Sequence, residues 1–435
     1  MRTFVLVCAA SLLFGRAAAA DSPKLTLEQT IAKALVGPRA RMAAGEADNA
    51  AAQLAEAKAL RLPRIKATVF GTASPDIDCL DANCTRTDPI NFAFRYEGLW
   101  GGGELDVSQP IIRFGASHGF SAAKAGVEAK RLLADEAAGD LAVEAARAYW
   151  GLKLARELGY MLDDGIEQIQ KAIARMEERT GKDAPTPQDR NRIALLLAEA
   201  EVQRADAAAG ERQALAGLRA LTGVPDADVD EEPLEATQFA LPNEVTGAGR
   251  PQARAAREGA RAADELVDFT AGSYFPQLSI AGRAWIAGAQ GADDPPSIYA
   301  YDPYNRWGAE LALVSTWTAE PWTVHAKVER ARADARRAHA LSDLAAAGAR
   351  YDAETVLGEA TAAKTKLDAA ARGEKAGHAW VVSLVQADVI GAVESKEFAD
   401  AYIAWFRMKA NWAQAAFQWN VAITRLGRVN GDFRA

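Results

Sequence analysis

The chain has 435 residues, of which 49% are hydrophobic and 25% charged, with a formal net charge of -8. A chain of this length can bury one large core or several small ones, and its acidity argues against a nucleic-acid partner. Beyond the N-terminus no window of roughly 18 apolar residues occurs, so no transmembrane helix is expected.

Residues 1–20 read as an export signal. Arg2 supplies the positive start, Thr3 to Phe14 the apolar stretch, and Ala18 and Ala20 a small-x-small cleavage site before Asp21. Cys8 lies inside the apolar stretch, too early for a lipid-attachment site. Cleavage leaves Cys79 and Cys84 in CLDANC. In an exported chain this spacing reads as a disulfide closing a small loop. The loop offers too few ligands for a metal, and His118, His325, His339 and His378 are scattered without metal spacing.

The mature chain opens with LTLEQTIAKAL, where Thr26 and Gln29 form a capping-box pattern. An Ala-rich helix follows from Pro38 to Leu62 and stops at Pro63. RIKATVF then alternates, with Ile65, Ala67 and Val69 on one side and Arg64, Lys66 and Thr68 on the other, which predicts a strand with one wet face. Ser74 to Gly98 reads as a polar loop holding both cysteines and the aromatics Phe92, Phe94 and Tyr96. In GGGELDVSQP, Leu105 and Val107 alternate with Glu104, Asp106 and Ser108, giving a second strand that Pro110 is expected to end.

Gly115 to Arg179 is helical throughout, about 65 residues and therefore a rod of about 100 Å. Its apolar positions, among them Leu152, Leu162, Ile169 and Met176, step by four and three. TGKDAPTPQD breaks the rod. Thr186 reads as an N-cap with Pro187 at the first helical position and Asp189 at the third. The new helix runs to Leu221, where Gly223 and Pro225 stop it. Residues 226–249 read as an acidic linker.

The pattern then repeats. A helix from Arg250, Pro276, a strand, a loop from Asp293 to Asn305, and the strand WGAELALVSTW follow, with Glu310 at the place of Glu104. A second rod runs from Trp322 to Ile390, Gly391 turns it, and a last helix returns to Leu426. Phe398, Tyr402, Trp405, Trp412, Trp419, Ile423 and Leu426 fall on one heptad seam, which predicts core packing against a neighbouring helix. Two tandem repeats result, 21–225 and 250–435, each of helix, strand, strand, long helix, turn and helix.

These lengths predict a mainly helical protein with membrane β structure: a tube of antiparallel helices, joined to strands of about ten residues that match a bilayer's hydrocarbon thickness. Aromatic residues near the strand ends (Phe70, Trp100, Tyr274, Phe275, Trp285, Trp307, Trp317) suit the girdles of a transmembrane barrel. Four strands cannot close a barrel, and open edges are forbidden in lipid, so several copies must share one.

The chain resembles the TolC family of outer-membrane efflux proteins. The resemblance spans Leu25 to Asn430 and rests on QPIIRFG after the second strand, on LP and FP before strands, on AYWGLKLAREL in the first rod, and on the two-fold repeat. It implies a homotrimer whose shared β-barrel, with four strands per chain, contacts outer-membrane lipid while its helical tube crosses the periplasm. It also implies a periplasmic adaptor and an inner-membrane pump as partners. The expected function is passive export in a tripartite efflux or type I secretion system.

GAVESKEFADA resembles a family segment whose acidic pair lines the closed periplasmic mouth, and Glu397 and Asp400 occupy those places. The resemblance further implies adaptor docking at the two turns, around Gly181, Thr186, Pro187 and Gly391. Neither a nucleophile elbow, a phosphate loop nor metal spacing is present, so no enzyme, cofactor or metal is expected. The competing reading is a periplasmic coiled-coil adaptor or scaffold, which leaves the four amphipathic strands unexplained.

Overall fold

The computed structural model describes residues 24–75, 96–178, 186–289, 305–388 and 395–430. In chain order they form β1 (Lys24–Leu25), α1 (Leu27–Leu35), α2 (Pro38–Ala59), β2 (Arg64–Pro75), β3 (Tyr96–Ile112), α3 (Ala116–Glu177), α4 (Pro187–Thr222), β4 (Asp228–Val229), α5 (Pro251–Ala271), a short 3-10 turn, β5 (Gln277–Ala289), β6 (Arg306–Thr316), α6 (Pro321–Asp388) and α7 (Ser395–Asn430). The architecture is mainly helical with one four-stranded sheet.

The helix boundaries follow local chemistry. The Thr26 hydroxyl accepts from the Gln29 N–H while the Gln29 side chain accepts from the Thr26 N–H, which satisfies two donors at the start of α1. Thr186 and Asp189 repeat the arrangement on α4. Gly223 ends α4 in the left-handed region at φ 69°, where its N–H donates to the Arg219 carbonyl. Gly115, at φ 78°, turns β3 into α3, and a Cβ there would lie 2.7 Å from the Phe269 carbonyl oxygen. Only glycine meets both demands.

Two compact units emerge, each discontinuous in sequence. The first comprises the described parts of Met1–Met42, Glu136–Arg250 and Arg350–Ala435; the second those of Ala43–Asp135 and Pro251–Ala349. In the second unit β2, β3, β5 and β6 lie in that order, every pair antiparallel. The expected end at Pro110 is corrected: β3 runs to Ile112, with Pro110 opposite Ser279 and a bulge before Ile112. The ladder passes through the proline instead of stopping, because β2 begins opposite Ser108 and β3 is an edge at Pro110, where proline is tolerated. At its other end β3 starts at Tyr96, inside the stretch expected as loop.

Helices of the second unit are held by side chains that reach between neighbours. Glu265 of α5 meets His118 of α3 at 2.7 Å, and Asp264 of α5 meets His339 of α6 at 2.9 Å. Lys130 of α3 pairs with Glu46 of α2 at 3.0 Å. Phe114 packs on Phe275 at 4.8 Å between ring centres, where β3 leaves for α3 and α5 arrives at β5.

In the first unit the largest core joins α6, α7 and the segment after α4. Ala353, Val356, Ala360, Ala363 and Leu367 of α6 meet Ala413, Ala416, Trp419, Ala422 and Leu426 of α7. Small residues on α6 let α7 approach closely: a Cβ at Gly377 would lie 3.0 Å from the Trp405 Cα. The expected heptad seam therefore packs as expected at Trp405, Trp419 and Leu426. A second core gathers Ile31, Ala34, Leu141, Ala142, Ala145 and Leu221 from α1, α3 and α4.

The stretch 226–249, expected as a linker, does not hang free. Leu234 and Val245 are buried in the α6–α7 core. The Trp419 indole N–H donates to the Thr237 carbonyl, and the Asn420 amide accepts from Thr237 N–H and donates to the Glu235 carbonyl. Asp228 and Val229 pair in parallel with Lys24 and Leu25. Two of its acidic residues meet bases on α3: Asp228 with Arg156 at 2.7 Å, and Asp230 with Lys153. At its far end Arg250, only 6% exposed, binds Glu136 and Asp352, and Arg428 also reaches Glu136.

Asp230 also accepts from the Tyr149 hydroxyl at 2.5 Å. Burial alone would raise its carboxyl, but hydrogen bonds from Lys153 and Tyr149 outweigh that and hold it below the usual range. Its stabilising contribution is therefore complete above the unfolded carboxylate value of about 3.9 and is lost as pH falls through the lower folded value. The Lys153 side chain is 4% exposed. Asp230→Ala strips this buried ammonium of its carboxylate and should cost about 3–5 kcal/mol. Thermal unfolding followed by circular dichroism in detergent should show a lowered midpoint at pH 7, with the difference from wild type shrinking under strong acid.

Candidate functional site

The sheet's register sorts its side chains into two unlike faces. On one face Ile65 stands opposite Val107, Ala67 opposite Leu105, Leu105 opposite Ala284, and Ile286 opposite Trp307. Val69 is 85% exposed, Trp307 84% and Leu311 79%. A soluble sheet would cover such residues, because an apolar patch of this extent is costly in water. On the other face Lys66 stands opposite Asp106, Asp106 opposite Arg283, and Arg283 opposite Glu310. The row alternates in charge across the whole sheet. Arg283 bonds Asp106 at 2.9 Å and Glu104 at 2.6 Å.

Among the described residues no helix is long and apolar enough to cross a membrane. The sheet is the element whose surface chemistry suits lipid on one side and water on the other.

In the first unit, α3, α4 and α7 surround an open cavity of about 910 Å³. Leu158, Leu162, Ile169 and Met176 line it from α3, Ile193 and Leu196 from α4, and Tyr402 and Phe406 from α7. The apolar stripe expected on the first rod therefore divides: Leu152 is fully buried, whereas Leu162, Ile169 and Met176 face this space. Asp163 and Arg204 bridge α3 and α4 at 2.6 Å, and the Arg204 hydrogen bond holds the Asp163 carboxyl below its ordinary range.

The site residues expected from sequence divide in the same way. Thr186 and Pro187 stand at the start of α4 as N-cap and first helical residue. Asp189 is held below the ordinary carboxylate range by its hydrogen bonds from Thr186. Glu397 is exposed in the first turn of α7, and Asp400, one turn on, binds Arg192 of α4 at 2.8 Å. Arg192 was not legible as a partner in the sequence: it lies 208 positions from Asp400 and only the packing of α4 beside α7 joins them. Gly181, Gly391, Cys79 and Cys84 lie outside the described residues.

The backbone as a whole matches solved outer-membrane channels. Campylobacter jejuni CmeC superposes with a TM-score of 0.76 at 15% identity, over 100% of this chain and 94% of that one. Neisseria gonorrhoeae MtrE, solved in an open state, gives 0.76 at 17% identity over 94% and 89%. Vibrio cholerae VceC gives 0.74 at 14% identity over 94% and 96%. The chain has the TolC-type fold. No protein-family model matches the sequence, and no curated protein matches it significantly. At such identities a shared backbone persists where the side chains have been almost wholly replaced, so the TolC-type fold here rests on helix lengths, strand order and apolar pattern.

Thr186→Ala removes an oxygen that accepts from the Asp189 N–H and should cost about 1 kcal/mol, confined to the start of α4. Hydrogen exchange should rise at 188–190 while the α6–α7 core keeps its protection.

Proposed function

We propose that the chain is the outer-membrane channel of a tripartite efflux or type I secretion system, a homotrimer through which substrates pass passively across the outer membrane. The observation that carries this reading is the two-faced sheet. Its apolar face suits lipid and its charged row suits a water-filled lumen. Its free edges require further copies, because unpaired backbone groups are not tolerated in hydrocarbon. The TolC-type fold supports the same reading, with two tandem repeats supplying a helical tube in the periplasm. An inner-membrane pump and a periplasmic adaptor are the partners it calls for, the adaptor at the turns around Gly181, Thr186, Pro187 and Gly391. A soluble scaffold would have no use for the exposed Val69, Leu311 and Trp307.

Fractionation should place the protein in the outer membrane. In mild detergent its mass should be about three times the 46.3 kDa chain, slightly less after signal removal. A stable folded monomer would defeat the shared barrel. Cys79 and Cys84 should be oxidised and outside the cell, so alkylation of both thiols in intact unreduced cells would count against the disulfide. Loss of the bridge should matter little for folding, because the loop it closes is short.

Glu397 and Asp400 are proposed as the gate. Three copies would gather their carboxylates around one axis, where they attract cations and repel anions. Arg192 partly neutralises each Asp400 and ties α7 to α4. Both partners are nearly half exposed, so the pair contributes at most about 1 kcal/mol to folding. Glu397→Ala with Asp400→Ala should weaken cation selectivity and divalent block in bilayer conductance without altering the trimer. Arg192→Ala should strengthen both. Wild-type selectivity and block in the double variant would mark these residues as ordinary surface charge.

A further inference from the structure

The sheet ends in two open edges, β2 on one side and β6 on the other. Strand direction alternates across β2, β3, β5 and β6, so β6 of one copy and β2 of the next would meet antiparallel, as the rest of the sheet requires. What is not given by closure alone is the register of that seam. A barrel's strands tilt by about 35–45°, and tilt is the same quantity as the offset accumulated along a row of directly paired residues.

The row starting at Arg64 passes through Ser108 and Ala281 to Ala312. If Ala312 faced Arg64 of the next copy, the offset would be zero and the strands would stand upright, which barrels do not do. With a rise of about 3.4 Å and a strand spacing of about 4.8 Å, an offset of about four residues per four strands gives a tilt of about 35°, and about six gives about 47°. The number of copies does not enter, since each adds the same offset over the same four strands. An odd offset is excluded, because it would turn the apolar face of the next copy into the lumen.

Tilt chooses between the two, because about 35° falls within the range that barrels adopt and about 47° falls beyond it, and the strand bounds agree. β2 spans Arg64–Pro75 and β6 spans Arg306–Thr316. At the four-residue offset Arg64 faces Thr316 and position 74 faces Arg306, so the two edges match along the whole of β6, whereas the six-residue offset leaves Arg306 beyond the end of β2. An offset in the opposite sense would leave most of both edges unpaired. We infer that β2 and β6 of adjacent copies pair with Arg64 opposite Thr316, which sets Ala67 opposite Leu313 and Val69 opposite Leu311. This register also brings the exposed side chains of Val69 (85%) and Leu311 (79%) together on the apolar face, as cross-strand neighbours.

The inference rests on the shared-barrel reading above, and its test separates the two. In a background of Cys79→Ser and Cys84→Ser, three full-length pairs are compared in outer membranes under mild oxidant: Val69→Cys with Leu311→Cys, Ala67→Cys with Leu313→Cys, and Val69→Cys with Leu313→Cys. The first two share the inferred register and should each give a ladder up to a covalent trimer on denaturing gels. The third reports the six-residue offset and should cross-link at least fivefold less. Preferential linking of the third pair overturns the register. A native trimer by mass that links in none of the three overturns pairing through these edges while leaving the trimer standing. A folded monomer by mass in the parent background overturns the shared barrel and the register with it. The two same-register pairs use different positions, so misfolding of one variant leaves the other to decide.

Discussion

A sheet with one apolar and one charged face, and with two unpaired edges, has no stable resting place in water on its own. Ile65, Val69, Leu311 and Trp307 need an apolar surrounding, while Lys66, Asp106, Arg283 and Glu310 need a polar one. The edges of β2 and β6 need partners. Lipid on one side, water on the other and further copies at each edge meet all three needs at once. The proposed channel is the arrangement that does so, and the seam register follows from the tilt that a closed barrel requires.

The first unit solves a different problem. Its helices are rich in alanine and bury little area per residue, so their packing depends on large residues at few points and on what is laid across them. Trp419, Leu426 and Leu218 are each almost wholly buried. The segment after α4 closes over these helices, giving its carbonyls to Trp419 and Asn420 and its carboxylates to Lys153 and Arg156. Buried ion pairs add little net stability over apolar packing, but they penalise any other alignment by leaving a charge without its partner. Asp228 and Asp230 thus dock this segment on α3, which is not the behaviour of a free tether.

The open apolar cavity of the same unit is lined by α3, α4 and α7. Leu162, Ile169 and Met176 carry the same four-and-three spacing as the buried Leu152, yet they face open space. Periodicity identifies the side of a helix that prefers contact; it does not identify what makes the contact.

By itself the sequence determined the kind and order of the elements. Thr186 with Pro187, and Gly223 after Thr222, mark helix ends because capping is satisfied by atoms within a few residues. Alternation in RIKATVF and GELDVS marks strands and their two faces for the same local reason. Only the tertiary structure decided what is far apart in sequence. It placed Arg283 between Asp106 and Glu310, Arg192 against Asp400, and Thr237 under Trp419. It also carried β3 past Pro110, because β2 begins opposite Ser108 and leaves β3 an edge there, where proline is tolerated. Local signals are written in neighbouring residues, whereas register and helix contact depend on the balance of many distant surfaces that no short stretch contains.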